Sequence, residues 1–274
     1  MNWRSIWTIA KKDLKEVSQN KMAWGPGIVV PLVFAVFMPL MFIILPQVIP
    51  VEDVQRELGD LDGMLRAMPP ALQVLFEGKS LEQMFVLYMA GFMLAPLFLV
   101  MPLMFSTVIG SDSFVGERER KTMEALLYTP TSDMELFLGK VLAAVIPAIG
   151  LSWITYVVYI IVVNVASYPL FGSIWFPLPT WWPLMLWMTP ALAVLGISAT
   201  VLISSRVRTF MEAYQMSASL VVLVLGLVAG QVSGVLFLGI GTTLIIGTII
   251  WLVDAALIYI SVKKFKRSAL VAKL

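Results

Sequence analysis

The chain has no cysteine and no histidine. Without cysteine there are no disulfides and no thiolate metal sites. Without either residue there is no Cys or His nucleophile chemistry and no Ser-His-Asp triad. A cysteine-free chain is at home in either redox compartment, so the absence does not locate it. Charge is also scarce. Only 13% of residues are Asp, Glu, Lys or Arg, against about 25% in a soluble domain. Polar catalysis is left with carboxylates, Lys, Tyr, Ser and Thr, and most of the carboxylates lie outside the apolar stretches. A further absence is the phosphate-cradling pattern G-x-x-x-x-G-K-[ST]. Gly78-Lys79-Ser80 imitates its end, but Gln73 stands where the first glycine is required. The chain therefore cannot hydrolyse ATP alone, and no cofactor or metal ion is expected on it. A cleavable leader is not expected either, because residues 1–24 are polar and basic and the first apolar stretch lacks a small-residue cleavage pattern.

What is present is apolar surface. Hydrophobic residues make up 59% of the 274, and the mean hydropathy is +0.91. A soluble protein of this composition could not cover itself with polar atoms, so lipid must cover it. A spanning helix needs about 20 mostly apolar residues. Six stretches qualify, near 25–46, 83–109, 138–163, 183–203, 214–231 and 236–262. The spacing predicts an all-α membrane protein with a six-helix domain over 25–262, an N-terminal helix over 1–24 and a basic tail over 263–274. Pro31, Pro39, Pro96, Pro102, Pro147 and Pro190 fall inside the spans, where neighbouring helices can satisfy the carbonyls they free.

Orientation follows from Lys and Arg in the connections. The N-terminal segment, the second and fourth connections and the C-terminal tail hold 16 of these residues, and the other connections hold 3. Both termini, the 110–137 connection and the 204–213 connection are therefore expected in the cytoplasm. The outer loop 47–82 carries seven acids and three bases. Leu61, Met64, Leu65 and Met68, then Leu72, Leu75 and Phe76 beyond Pro69-Pro70, recur at helical spacing and predict two short amphipathic helices. Trp175, Trp181 and Trp182 suit an outer aromatic belt and Trp24 an inner one.

Five features bear on mechanism. In the first helix Trp3, Ile6, Trp7, Ala10, Leu14 and Val17 fall on one face, with Lys11, Lys12 and Lys15 on the others. This is the pattern of a helix lying in the headgroup layer, as a simple anchor or as a docking surface. Residues 110–140 form the second feature. Ser111, Asp112 or Ser113 can cap a helix start, Glu117 to Leu127 are good helix formers, and Pro130 stops them. Ser132 with Glu135 then makes a capping box for the third span. Some 30 residues spent on a connection suggest either a docking element or a solvated helix. The third is Gly226, Gly230 and Gly234, a four-residue repeat that lets a helix approach closely, within the bundle or from a second copy. The fourth is Asp254, the sole acid inside a span, on an ion path or in a structural hydrogen bond. Five of the 17 methionines lie in the second span: Met84, Met89, Met93, Met101 and Met104. They suit a path for varied apolar cargo, or simply a membrane core.

The run Gly116-Glu117-Arg118-Glu119, Lys121-Thr122-Met123-Glu124-Ala125-Leu126-Leu127, Thr129-Pro130 and Gly139-Lys140 resembles the cytoplasmic signature of type-2 ABC transporter permeases. The likeness extends over the whole chain: an amphipathic first helix, six spans, a large outer loop and a short turn after the fifth span. The resemblance implies that residues 110–130 hold a coupling helix seated in a separate ATP-binding subunit, which binds ATP and Mg. It assigns that contact to Glu117, Arg118, Glu119, Lys121, Thr122, Glu124, Leu126 and Leu127. It makes Trp3, Trp7, Lys11 and Lys12 part of a connecting helix, implies two permease copies, identical or different, and puts short re-entrant helices near 231–241. Export across a prokaryotic plasma membrane follows as the expected role. The competing class is a secondary transporter driven by an ion gradient, which would bury several ionisable groups and show repeated halves; one buried acid and no repeat are visible. An intramembrane enzyme has too little chemistry to work with.

Overall fold

The computed structural model describes residues 2–19, 29–49, 63, 70–122 and 131–264. The described residues are helical, with no strand among them. Helix α1 is Trp3–Gln19. Helices α2 (Val29–Val48), α3 (Leu81–Glu119), α4 (Asp133–Phe171), α5 (Trp181–Ser204) and α6 (Phe210–Val232) follow, and α7 is Ile240–Lys264. The last six are each long and apolar enough to cross a bilayer. They coincide with the six expected stretches, but α3 and α4 run well past them. Each of these two has 39 residues, about 58 Å at 1.5 Å per residue, against a hydrocarbon layer of about 30 Å. Hydropathy ends where charge begins, whereas α3 continues to Glu119 because its projecting charges pair, Asp112 with Arg120 and Glu117 with Lys140. α4 starts at the Ser132–Glu135 capping box and, beyond Lys140, runs on without charges to a left-handed Gly172.

The bundle is organised about α3 and α5. In their most apolar stretches 78% and 67% of residues are buried, against 33% in α4, 22% in α2 and 17% in α6 and in α7. The outer four thus present wide apolar faces outward, as lipid-facing helices must. α3 and α5 approach closely because glycines meet side chains across the interface. A Cβ on Gly196 would collide with Ser106 and lie 3.0 Å from the Leu103 carbonyl.

Prolines shape the spans as their chemistry dictates. Pro39 and Pro190 each follow a widened π turn, Val33–Phe37 in α2 and Leu184–Met188 in α5. A wider turn accommodates a ring that has no N–H and crowds the preceding carbonyl. α3 is broken more severely: a π turn at Met89–Met93 gives way to a 3-10 turn at Pro96–Leu99. Side chains of three other helices donate to carbonyls at this break, and the Phe92 carbonyl also accepts from Ala95 N–H at 3.1 Å. Tyr159 Oη donates to Ala90 at 2.5 Å, Trp181 Nε1 to Gly91 at 2.7 Å and Gln231 Nε2 to Phe92 at 2.6 Å. Trp181 is wholly buried against Phe98, Tyr156, Tyr159 and Phe176, so the expected belt residue is a core residue. Trp182 is exposed.

Three further expectations are revised. Ser111, Asp112 and Ser113 cap nothing, because α3 passes through them without interruption as a π turn and all three are buried. The good helix formers from Glu117 onward continue α3 only to Glu119, and residues 123–130 lie outside the described residues. Residues 231–241 hold no re-entrant helix: a turn at Ser233-Gly234, with Gly234 at φ 71°, leads to a non-helical stretch before Ile240. Phe237 of that stretch packs on Phe92, and Leu238 is buried. Of the two amphipathic helices expected in the outer loop, the first lies outside the described residues except for Gly63. The second is present as a short helix, Pro70–Gln73, and a 3-10 turn, Val74–Phe76, with Phe76 buried. The Ser132–Glu135 capping box forms as the sequence predicts.

Candidate functional site

The end of α3 carries four consecutive charges, and each is directed at a different partner. Glu117 is 1% exposed and accepts from Lys140 of α4 at 2.6 Å and from Lys12 of α1 at 2.8 Å. Arg118 donates to the carbonyls of Ser204 and Val207, at and just beyond the C-terminus of α5, where a cation also meets the negative end of the helix dipole. Glu119 accepts from the backbone N–H of Phe210, the first residue of α6, at 2.7 Å, where an anion suits the positive end. Arg120 turns back to Asp112 on α3 itself at 2.7 Å. One helix terminus thereby holds α1, α4, α5 and α6.

The centre of this hub is Lys140, which is 0% exposed. Its ammonium has three N–H donors, and all three are used: Glu117 at 2.6 Å, the Ser113 carbonyl at 2.7 Å and Asp13 of α1 at 3.3 Å. Lys12 also reaches Asp13 at 3.4 Å and Glu16 at 3.1 Å. Carboxylates of Asp13, Glu16 and Glu117 converge closely enough to suggest a cation site, but the Lys12 ammonium lies among them and supplies the positive charge. Burial by itself lowers the Lys12 pKa. The hydrogen bond and charge of Glu117, with Asp13 and Glu16, outweigh it and hold the ammonium above its ordinary range.

α1 is seated by shape as well as charge. Ile6, Ile9, Ala10 and Asp13 are buried against α4, and Gly139 makes room, since a Cβ there would lie 2.7 Å from Ile9. The N-terminal backbone adds a contact, with Asn2 N–H donating to Glu135 at 2.6 Å. The expected single apolar face is therefore split. Ile6 and Ala10 point into the protein, while Trp3 and Trp7 are 66% and 47% exposed. Lys11 lies over the Trp7 ring at 5.8 Å.

α3 ends in a Schellman motif. Thr122 N–H bonds the Glu117 carbonyl and Lys121 N–H the Arg118 carbonyl, which requires Lys121 in the left-handed region, at φ 58°. The Thr122 hydroxyl also donates to the Glu117 carbonyl. Beside this turn, between α1, α3 and the start of α6, opens a cavity of about 710 Å³ whose walls include Glu16, Asp112, Glu119, Arg120 and Phe210.

Of the residues singled out in the sequence, Glu117, Arg118 and Glu119 are brought together with Lys12 and turned towards other helices, rather than arrayed on an outer face. Lys121 and Thr122 form the turn beyond them, and Glu124, Leu126 and Leu127 lie outside the described residues. Among the described residues nothing lies within 4 Å of a Cβ on Gly226, Gly230 faces Leu236 at 3.1 Å, and Gly234 is in the turn after α6, so the three do not form one packed strip within this bundle. Asp254 is buried on α7 and has no hydrogen-bond partner among the described residues. Two central residues carried no assigned role. Asp13 is an acid at the spacing of Ile6, Ile9 and Ala10, on an otherwise apolar stripe, and Lys140 is a lysine just inside an apolar run. Both were legible as buried charges that needed a partner.

The chemistry of this arrangement is the joining of helices. Six helices long and apolar enough to cross a bilayer make the class a multi-pass membrane protein. The chain belongs to the ABC-2 family of transporter proteins, whose family model matches residues 7–263, and it is a type-2 ABC transporter permease. No curated protein and no solved structure gives a match.

Proposed function

We propose that this permease is the force-receiving membrane half of an ATP-driven exporter. A separate ATP-binding subunit, which holds ATP and Mg, docks at the turn after Glu119 and the connection that follows it. The observation that carries this reading is the four-charge end of α3. A displacement of that terminus is felt at once by α1 and α4 through Glu117, by α5 through Arg118 and by α6 through Glu119. A solvated connection needs none of these bonds. The cavity beside the Schellman turn offers room for an element of the partner.

In this reading α1 lies at the cytoplasmic interface, with Trp3 and Trp7 among lipid headgroups and its inner face on α4. Both termini are cytoplasmic, as the distribution of Lys and Arg supports. A second copy of the permease, identical or closely related, packs on the open side of α6 at Gly226, where small residues permit close approach. Cargo leaves the cytoplasm between the copies, and the apolar spans favour an amphipathic or lipid-like molecule. The membrane is a prokaryotic plasma membrane.

The experiment is co-purification of the permease with an ATP-binding subunit, followed by ATPase and transport assays in proteoliposomes. Replacing Glu119 with Gln should leave insertion and ATP binding intact and lower transport per ATP hydrolysed. Unchanged coupling in Glu119→Gln and Arg118→Gln together, or transport that persists without ATP and collapses with an ion gradient, overturns the proposal.

A further inference from the structure

One face of α7 carries polar groups without a hydrogen-bond partner among the described residues. Thr243, Asp254 and Ser261 are buried. Thr243 Oγ1, both carboxyl oxygens of Asp254, Ser261 Oγ and the Trp251 indole N–H are these unpaired groups. Steps of eight, three and seven residues keep these positions on one helical stripe. The stripe packs on α5, whose buried Ser198 hydroxyl is likewise unpaired. From Thr243 to Ser261 the line extends about 27 Å along the axis, close to the full thickness of a hydrocarbon layer.

Among the described residues, the surroundings of Asp254 offer no counter-charge. The stretch from Trp181 to Ser204, which packs against α7, has no titratable side chain. α4 also reaches α7, where Val141 and Val145 pack in the same cluster as Ile258 and Val262. Its titratable groups are Asp133, Glu135, Lys140, Tyr156, Tyr159 and Tyr168. Lys140 is the one beside that contact, and its three donors are committed to Glu117, Ser113 and Asp13. On α7 itself the only titratable neighbour with a described side chain is Tyr259, which is exposed.

An ionised carboxylate in a spanning helix with neither counter-charge nor hydrogen bond is far costlier than its neutral acid. A metal ion would relieve it only with a ring of about six oxygens. The next oxygen-bearing groups of the stripe are about 10 and 16 Å away along the axis. The cation that fits one isolated carboxyl is a proton. We propose that Asp254 is a proton-binding site. It is neutral while α5 and α7 are closed over it, and it ionises when they part. The O–H electrons then remain on the carboxylate and the proton passes to water entering the seam along the stripe that Ser261 and Thr243 occupy. Parting of the helices rests on the permease reading above; the neutral acid in the closed arrangement does not.

Infrared difference spectra of the full chain in lipid, native minus Asp254→Asn, test the neutral acid. A protonated-carboxyl C=O band is expected at neutral pH, lost in the variant and shifted in native protein made with carbon-13 aspartate. The labelled protein answers the question even if the variant fails to fold. A difference that contains only carboxylate bands, with no protonated band in the labelled protein, overturns the proposal. With the ATP-binding partner present, transport by the native permease should vary with pH where Asp254→Asn is flat. Identical pH profiles with ATP-driven transport intact sink the cycle-linked proton and leave the permease reading standing. The infrared band without any ATP-driven transport does the reverse.

Discussion

Replacing Lys140 with Met keeps the volume and removes the charge at the centre of the hub. Three bonds disappear, at 2.6, 2.7 and 3.3 Å, and two carboxylates that are each 1% exposed keep only Lys12. Removing one partner of a buried ion pair costs about 3–5 kcal/mol, most of it from the charge left behind. Glu117→Gln should cost a similar amount for the converse reason. If the two acted independently, the double variant would lose about 6–10 kcal/mol. The geometry requires otherwise: with both gone, Asp13 and Lys12 still form a neutral pair. The double variant should therefore lie close to either single one, with an interaction energy of at least about 2 kcal/mol. Denaturant unfolding in detergent, followed by tryptophan fluorescence, measures the cycle, and protease cleavage within α1 reports whether that helix has come away. Additive losses, or single substitutions within about 0.5 kcal/mol of the native protein, would refute the claim that these charges hold the helices together.

Lys121→Gly should stabilise the end of α3 by about 1 kcal/mol, because glycine adopts the left-handed conformation at φ 58° without penalty; an unfolding midpoint no higher than the native one contradicts this. Tyr159→Phe removes the donor to the Ala90 carbonyl and should cost about 1–3 kcal/mol by leaving a buried acceptor unpaired, seen as a lower midpoint and faster amide exchange around 89–99. Lys12 has its pKa raised in the folded protein. Its contribution should therefore be complete below the unfolded-state value of about 10.4 and be lost as pH rises through the higher folded value. Native protein should thus lose stability more than Lys12→Met on going from neutral pH to strongly alkaline solution, and parallel curves would refute the assignment.

Much of the architecture was legible in the residues. Six apolar runs became six helices because a spanning segment must satisfy its backbone internally. Ser132 and Glu135 formed their capping box because both bonds are local. The ends of α3 and α4 were not legible. Residues 110–119 read as a connection with its own cap, yet they continue α3, because Asp112 pairs with Arg120 and Glu117 pairs with Lys140. Nothing in a local window indicates that a lysine 23 positions away will neutralise that glutamate. Which side of the first helix faces the protein was not legible for the same reason. Its tryptophans and its isoleucines are equally apolar, and only contact with Gly139 on α4 decides which of them turns inward.

Composition and periodicity by themselves determined that this chain belongs in a bilayer and that it carries six helices long and apolar enough to cross one, because both depend on the energy of residues against solvent. The tertiary structure alone decided that Glu117, Arg118 and Glu119 bind other helices, that Tyr159, Trp181 and Gln231 secure the break in α3, and that Asp254 has no hydrogen-bond partner among the described residues. Those outcomes depend on which distant side chains come within about 3 Å, and in a low-dielectric interior that proximity sets the energy of every charge and every released carbonyl.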